Sequence, residues 1–122
     1  MCQHPNVVRM LDFFETIDQF QIVLEYMEGK DLYEYMQVKT KSLKEEHVKN
    51  IAFQIGQGLQ YLHTYGIIHR DLKLENIMMS DMSDDAVPKI NDFGFAKVLA
   101  QKQRALDAYG TIGYVSPEIL QH

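Results

Sequence analysis

The stretch His69-Arg70-Asp71-Leu72-Lys73-Leu74-Glu75-Asn76 lies between two segments of opposite periodicity, and no other feature constrains the fold as tightly. Before it, Val48, Ile51, Ala52, Ile55, Leu59 and Leu62 recur at helical spacing, which predicts the longest helix of the chain. After it, Ile77-Met78-Met79 and Val87-Pro88-Lys89-Ile90 flank a polar turn at Ser80 to Asp85, which predicts a small β-hairpin. A charged stretch held between a helix and a hairpin is a loop placed by rigid neighbours, the common setting for chemistry. Asp92-Phe93-Gly94 and Ser116-Pro117-Glu118 follow in that order. Singly, each motif is an ordinary turn or surface loop; agreement between motif and context gives them weight.

Further upstream, the β-branched and aromatic runs 7–15 and 20–26 are joined by the polar turn Thr16-Ile17-Asp18-Gln19 and predict an antiparallel hairpin. Glu28-Gly29-Lys30 breaks that pattern. Asp31 stands at an N-cap position ahead of a short helix over 32–36, and Ser42 with Glu45 predicts the capping box of the long helix. Gly66 stands where a left-handed C-cap would end it. The segment from Phe95 to Tyr109 lacks periodicity. Hairpins segregated from helices make the fold class α+β.

Charge and cysteine content narrow the function. A net charge of -5, with 12 scattered Lys and Arg, argues against nucleic acid or an anionic membrane as main partner. Cys2 is the single cysteine, so an intramolecular disulfide is excluded and a reducing, intracellular setting is expected, cytoplasmic first and the nucleus second. No apolar run approaches the ~18 residues of a spanning helix. Asp84-Asp85 lacks EF-hand spacing and reads as a solvated turn, and the seven methionines read as core filling.

Through H-R-D-L-x-x-x-N, Asp-Phe-Gly and Ser-Pro-Glu the chain resembles a eukaryotic protein kinase, and the resemblance runs from end to end. It implies a partial kinase-like fold: residues 1–27 as the end of the small lobe and the hinge, and 28–122 as the large-lobe part with catalytic loop and activation segment. His4-Pro5-Asn6-Val7-Val8 is similar to the stretch leading into the fourth small-lobe strand. The Gly-rich loop, the phosphate lysine and the helix glutamate would then lie upstream, and the isolated chain is expected to be inactive.

The resemblance also assigns roles. ATP and Mg²⁺ are the implied cofactors, with Asn76 and Asp92 on the metal. Asp71 would orient the substrate hydroxyl, Lys73 would stand near the transferring phosphoryl, and Thr111 would bridge the two. Lys73 and Thr111 imply a serine/threonine substrate. Glu25 and Met27 would meet the adenine through their backbone, Leu24 would stand at the back of the pocket, Met78 would form its floor, and Asp31 would meet the ribose. Asp31 and Glu75 would favour basic residues upstream of the phosphorylated one. Arg70 would pair with Asp107, four positions before Thr111, in a stretch from Val98 to Ala108 without serine or threonine. Lys89–Lys97 and Gly110–Leu120 are similar to calcium/calmodulin-dependent or calcium-dependent kinases, with Leu74 and Ser116 as departures, which implies a calcium-sensing segment outside this chain. A pseudokinase-like scaffold or regulatory fragment without turnover is the alternative.

Overall fold

The computed structural model describes residues 3–41, 43–100, 105 and 107–121. Among the described residues the strands form three separate two-stranded antiparallel sheets, and the first two helices pack against the second and third of these in chain order, leaving the first hairpin without helical cover. The first hairpin joins β1 (Met10–Glu15) to β2 (Phe20–Leu24), with Phe13 stacked on Phe20 at 5.9 Å. Thr16 closes its turn twice, its amide donating to the Gln19 carbonyl (2.9 Å) and its hydroxyl accepting from the Gln19 N–H (3.1 Å). Leu11 falls where the register shifts between Met10 and Asp12, so the strand bends there. Both strands are shorter than the runs that predict them, and every residue from Leu11 to Leu24 is exposed.

Asp31 caps α1 (Leu32–Lys39), its Oδ1 accepting from the Glu34 N–H at 2.9 Å, and the helix outruns its expected end by most of a turn. Helix α2 (Glu45–Thr64) opens differently from expectation: its N-cap position is Lys44, with no side-chain cap, while Ser42 lies outside the described residues. Glu45 and Glu46 in its first turn meet the positive end of the helix dipole. It ends as predicted: Tyr65 N–H donates to the Leu62 carbonyl, Gly66 N–H to that of His63, and Gly66 takes φ +69°. A Cβ on Gly66 would also collide with the carbonyl of Leu99, where β6 (Lys97–Val98) returns to pair with β3 (Ile67–Ile68). That short strand lies in the segment that lacks periodicity, because pairing of two residues leaves no pattern to read.

Val7, Leu32, Tyr35, Ile51, Leu62, Ile77, Met79, Ala86 and Ile90 form the core. Of the apolar residues that predict α2, Ile51 and Leu62 are buried and Ile55 and Leu59 partly so, whereas Val48 and Ala52 face solvent. Met79 is fully buried and Met36 and Met82 pack against the core, as their gap-filling reading expects. A polar knot holds the N-terminal stretch in place. Asn6 Nδ2 donates to the Pro88 carbonyl (3.0 Å) and to Gln54 Oε1 (3.1 Å), while its own carbonyl accepts from Ile90 N–H (2.9 Å). The strand it grips, β5 (Pro88–Ile90), pairs with β4 (Ile77–Met79) as the predicted second hairpin. Gly29 is pressed against the carbonyls of Met79 and Asp81, so no side chain fits between the first hairpin's exit and β4. Among the described residues no helix is long and apolar enough to cross a membrane.

Two glycines of α2 separate helix propensity from packing. A Cβ on Gly56 meets nothing within 4 Å, whereas one on Gly58 would stand 2.8 Å from the Asn6 carbonyl and 3.1 Å from Ile90 Cδ1. Gly56→Ala is expected to raise stability by about 0.5–1 kcal/mol and Gly58→Ala to lower it by about 1–3 kcal/mol, checked by urea unfolding of the chain.

Candidate active site

A single turn of 3₁₀ helix at Leu74–Asn76 leads directly into β4, and this carries the charged loop back onto itself. The loop's centre is Asp71, whose side chain is 6 % exposed. A carboxylate so enclosed needs donors. Oδ1 accepts from the Thr111 hydroxyl at 2.5 Å, and Oδ2 accepts from Asn76 Nδ2 at 3.1 Å and stands 3.3 Å from Lys73 Nζ. Asn76 Nδ2 donates also to the Asp71 carbonyl (2.8 Å), and Lys73 Nζ donates to Thr111 Oγ1 (2.8 Å). Asp71, Lys73, Asn76 and Thr111 therefore form one network. The Thr111 hydroxyl, with Lys73 and Asn76 behind it, holds the Asp71 carboxyl below the ordinary aspartate range against the opposing effect of burial.

His69, quoted in the sequence only as part of a motif, is the buried link between this loop and the next one. Its Nδ1 accepts from Asp71 N–H (3.3 Å) and its Nε2 lies 2.8 Å from the Asn91 carbonyl, so the tautomer that satisfies both carries its proton on Nε2. Its ring meets Phe93 edge-on at 5.1 Å, and Asn91 N–H donates to the Asn76 carbonyl at 2.8 Å. These bonds set Asp92 beside the loop. Asp92 sits at φ +58°, in the left-handed region, with Oδ1 accepting from Gly94 N–H (3.2 Å). No hydrogen bond among the described residues joins the Asp92 and Asn76 side chains.

Arg70 also has positive φ, +68°, and its side chain is 13 % exposed. Nε donates to the Phe95 carbonyl at 2.5 Å, and the guanidinium lies over the Tyr109 ring at 4.3 Å. Asp107 approaches Nη1 to 3.8 Å but is held more closely by Lys97, at 3.0 Å, a partner the sequence did not suggest. Nη1 is buried without a hydrogen-bond partner among the described residues. The Lys97 ammonium, with Arg70 behind it, holds the Asp107 carboxyl below its ordinary range.

The six residues assigned to a nucleotide do not share one wall. Leu24 and Asp92 line an apolar cavity of about 480 Å³ with Val7, Val8, Met10 and Leu62. The Glu25 carboxylate points away from it, into an ion pair with Lys89 (2.8 Å). Burial raises the Glu25 carboxyl, but Lys89 and the Arg9 N–H outweigh it and bring it below the ordinary glutamate value. Met78 lies in β4 bridged to Asp31, whose carboxylate is engaged as the α1 cap. Met27 is half-buried, and among the described residues its backbone N–H and carbonyl have no protein partner.

Comparison with known proteins bears on this arrangement. The family model described as protein kinase domain matches residues 1–122. The chain is 42 % identical over 118 residues to the serine/threonine-protein kinase ATG1b of Arabidopsis thaliana, covering 97 % of this chain and 16 % of that protein. It is 39 % identical to a probable myosin light chain kinase of Dictyostelium discoideum, covering 98 % of this chain and 37 % of the relative. Identity to the calcium/calmodulin-dependent protein kinase type IV of Mus musculus is 36 %, over 97 % of this chain and 25 % of that protein. The chain thus spans well under two thirds of the length of these relatives.

Because a depressed carboxyl pKa stabilises the fold fully above the unfolded-state value and loses that contribution as pH falls through the folded one, the Asp71 network should fail in acid, below about pH 4. Thr111→Val removes the leading donor. The Asp71 carboxyl, followed by NMR titration, is expected to move upward toward the ordinary aspartate range, and acid unfolding to begin at higher pH. An unmoved titration would show that the Thr111 hydroxyl does not control this group.

Proposed function

The chain belongs to the protein kinase domain family, and from that premise we propose that it carries the catalytic-loop part of an enzyme that transfers the γ-phosphoryl group of ATP to a serine or threonine hydroxyl of a protein. The observation that carries the reading is the closed network of Asp71, Lys73, Thr111 and Asn76. Phosphoryl transfer requires positioning and charge neutralisation more than covalent chemistry, and this network supplies an acceptor and a cation in fixed relation. Asp71 accepts and orients the substrate hydroxyl; with its pKa depressed it stays ionised, so it is a weak base whose main effect is alignment. Lys73, 3.3 Å from that carboxylate, offsets negative charge on the transferring group.

The residues fit a magnesium–nucleotide complex. Asn76 spends its Nδ2 on Asp71 and among the described residues leaves Oδ1 without a partner, and Asp92 presents an exposed carboxylate, so both offer the hard oxygen ligands that Mg²⁺ takes. When bound, the metal ion neutralises phosphate charge. The backbone of Met27, without a protein partner among the described residues, suits an adenine edge together with the Glu25 carbonyl, and Leu24 and Met78 are the apolar residues the reading assigns to the same pocket. Asp31 keeps its second carboxylate oxygen for a ribose hydroxyl or a basic substrate side chain, and Glu75 faces the same preference for basic residues. We place the boundary between hinge and large-lobe part at 27/28, between β2 and α1. Membership of the calcium/calmodulin-dependent group, a calcium-sensing segment and a cytoplasmic setting complete the proposal; identities near 40 % to members of several kinase groups leave the first of these to experiment.

In the full-length protein, Asp71→Asn and Asp92→Asn should each lower kcat by about a hundredfold or more, for separable reasons. Asp92→Asn also weakens Mg²⁺–nucleotide binding, whereas Asp71→Asn leaves it close to wild type; equal affinity losses by calorimetry would refute the assigned roles.

The contacts of Asp107 with Lys97 and Arg70 hold the segment after Gly94 against the catalytic loop with a permanent carboxylate. Activity of phosphatase-treated full-length protein should therefore match that of untreated protein. Asp107→Ala and Arg70→Ala should each reduce it several-fold without adding in the double variant, as expected for groups in one cluster. Wild-type activity in Asp107→Ala would exclude this arrangement.

A further inference from the structure

Among the described residues, one ion pair joins the exposed first hairpin and its exit strand to the rest of the molecule. Both Glu25 carboxylate oxygens accept from Lys89 Nζ, at 2.8 and 2.9 Å, and Oε1 accepts also from Arg9 N–H at 2.7 Å. Neither partner is a mobile surface charge, the side chains being 21 % and 18 % exposed. Glu25 N–H donates in turn to the Arg9 carbonyl (2.9 Å). The stretch Asn6–Arg9 is itself bonded to β5, through Ile90 N–H to the Asn6 carbonyl and Val8 N–H to the Ile90 carbonyl, both 2.9 Å. Glu25 thus ties together three stretches of chain: the hairpin exit, the 6–9 link and β5.

The two ends of this tie have a meaning under the reading above, on which the present inference rests. Glu25 is the residue whose carbonyl faces the adenine. Lys89 stands three positions before Asp92 on the strand that delivers that carboxylate, and opposite Met78 in the pairing of β4 with β5. We infer that the Glu25–Lys89 pair is a positioning clamp, which fixes the adenine-reading backbone relative to the carboxylate that meets the metal–phosphate end of the same nucleotide. It touches neither end of the ligand. Its effect is to hold two contact points at the spacing one nucleotide demands, so its loss lowers nucleotide affinity while leaving the protein-substrate groove, built on Glu75 and the Thr111 segment, unaltered.

The test uses three variants of the full-length protein. Glu25→Gln keeps the acceptor for Arg9 N–H and loses the charge; Lys89→Met removes the cation and keeps the stem; Lys89→Arg keeps the cation. Glu25→Gln and Lys89→Met are expected to weaken Mg²⁺–nucleotide binding about tenfold, the double variant no more than either, with the KM for peptide unchanged, while Lys89→Arg stays near wild type. Amide hydrogen exchange without nucleotide gives an independent readout: protection at Glu25, Val8 and Ile90 should fall together in Lys89→Met, with protection at Ile51 and Leu62 in α2 retained. Wild-type nucleotide affinity in the single variants, losses shared equally by nucleotide and peptide, or unchanged exchange at Glu25 overturns the clamp. A wild-type protein that binds no nucleotide overturns the kinase reading instead, and the exchange data then judge the tie by itself.

Discussion

A carboxylate withdrawn from water must find donors for both oxygens, and Asp71 finds them on separate stretches of chain: Lys73 and Asn76 beside it, Thr111 far along the sequence. The distant donor gives the interaction its structural reach. The Thr111 hydroxyl returns the later segment to the loop, and the Asn76 amide fixes the turn that starts β4. A network of this kind is favourable only when complete, because each donor removed leaves a largely buried charge short of solvation. Order in the loop and order in the segment are therefore one property.

What the sequence made legible followed from local physics. Asp31 caps α1 because a short acid ahead of an amphipathic stretch satisfies an orphan N–H. Gly66 ends α2 because the left-handed region excludes most other residues. Alternating and β-branched runs announced both hairpins. Asp71, Lys73, Asn76 and Thr111 were legible through the resemblance of their motifs to a kinase, and the structure brings the four within bonding distance. What stayed hidden depends on contacts far apart in sequence. Lys97 reaching Asp107, Lys89 reaching Glu25 and His69 bridging to Asn91 each join residues with no periodic or motif relation. The solvent-facing Val48 and Ala52 show a further limit: helical spacing marks an apolar stripe without saying how much of it this chain covers.

Among the described residues two with side chains occupy the left-handed region, Arg70 and Asp92, one in the loop before β4 and one in the loop after β5. Such conformations cost of order 1 kcal/mol each and persist where surroundings over-determine them. Here the surroundings are identifiable. Arg70 is fixed by the Phe95 carbonyl and the Tyr109 ring, and Asp92 follows Asn91, which is bound on both its N–H and its carbonyl. At Arg70 the unusual backbone turns the guanidinium toward Phe95 and Tyr109 of a later segment; at Asp92 it folds the carboxylate onto the Gly94 N–H of its own turn.

The crowding around Gly29 and the bonds of Glu25 bracket a short piece of chain. On one side the carbonyls of Met79 and Asp81 crowd Gly29 so closely that a Cβ would not fit; on the other, Lys89 and Arg9 hold the Glu25 carboxylate. Between these two anchors lie Tyr26, Met27 and Glu28, which carry the chain from the hairpin to the helical body. Met27, whose backbone N–H and carbonyl have no protein partner among the described residues, lies at the middle of that interval. On the proposed reading, a nucleotide seated at Met27 would stiffen this interval and with it the hairpin's attachment to the helical body.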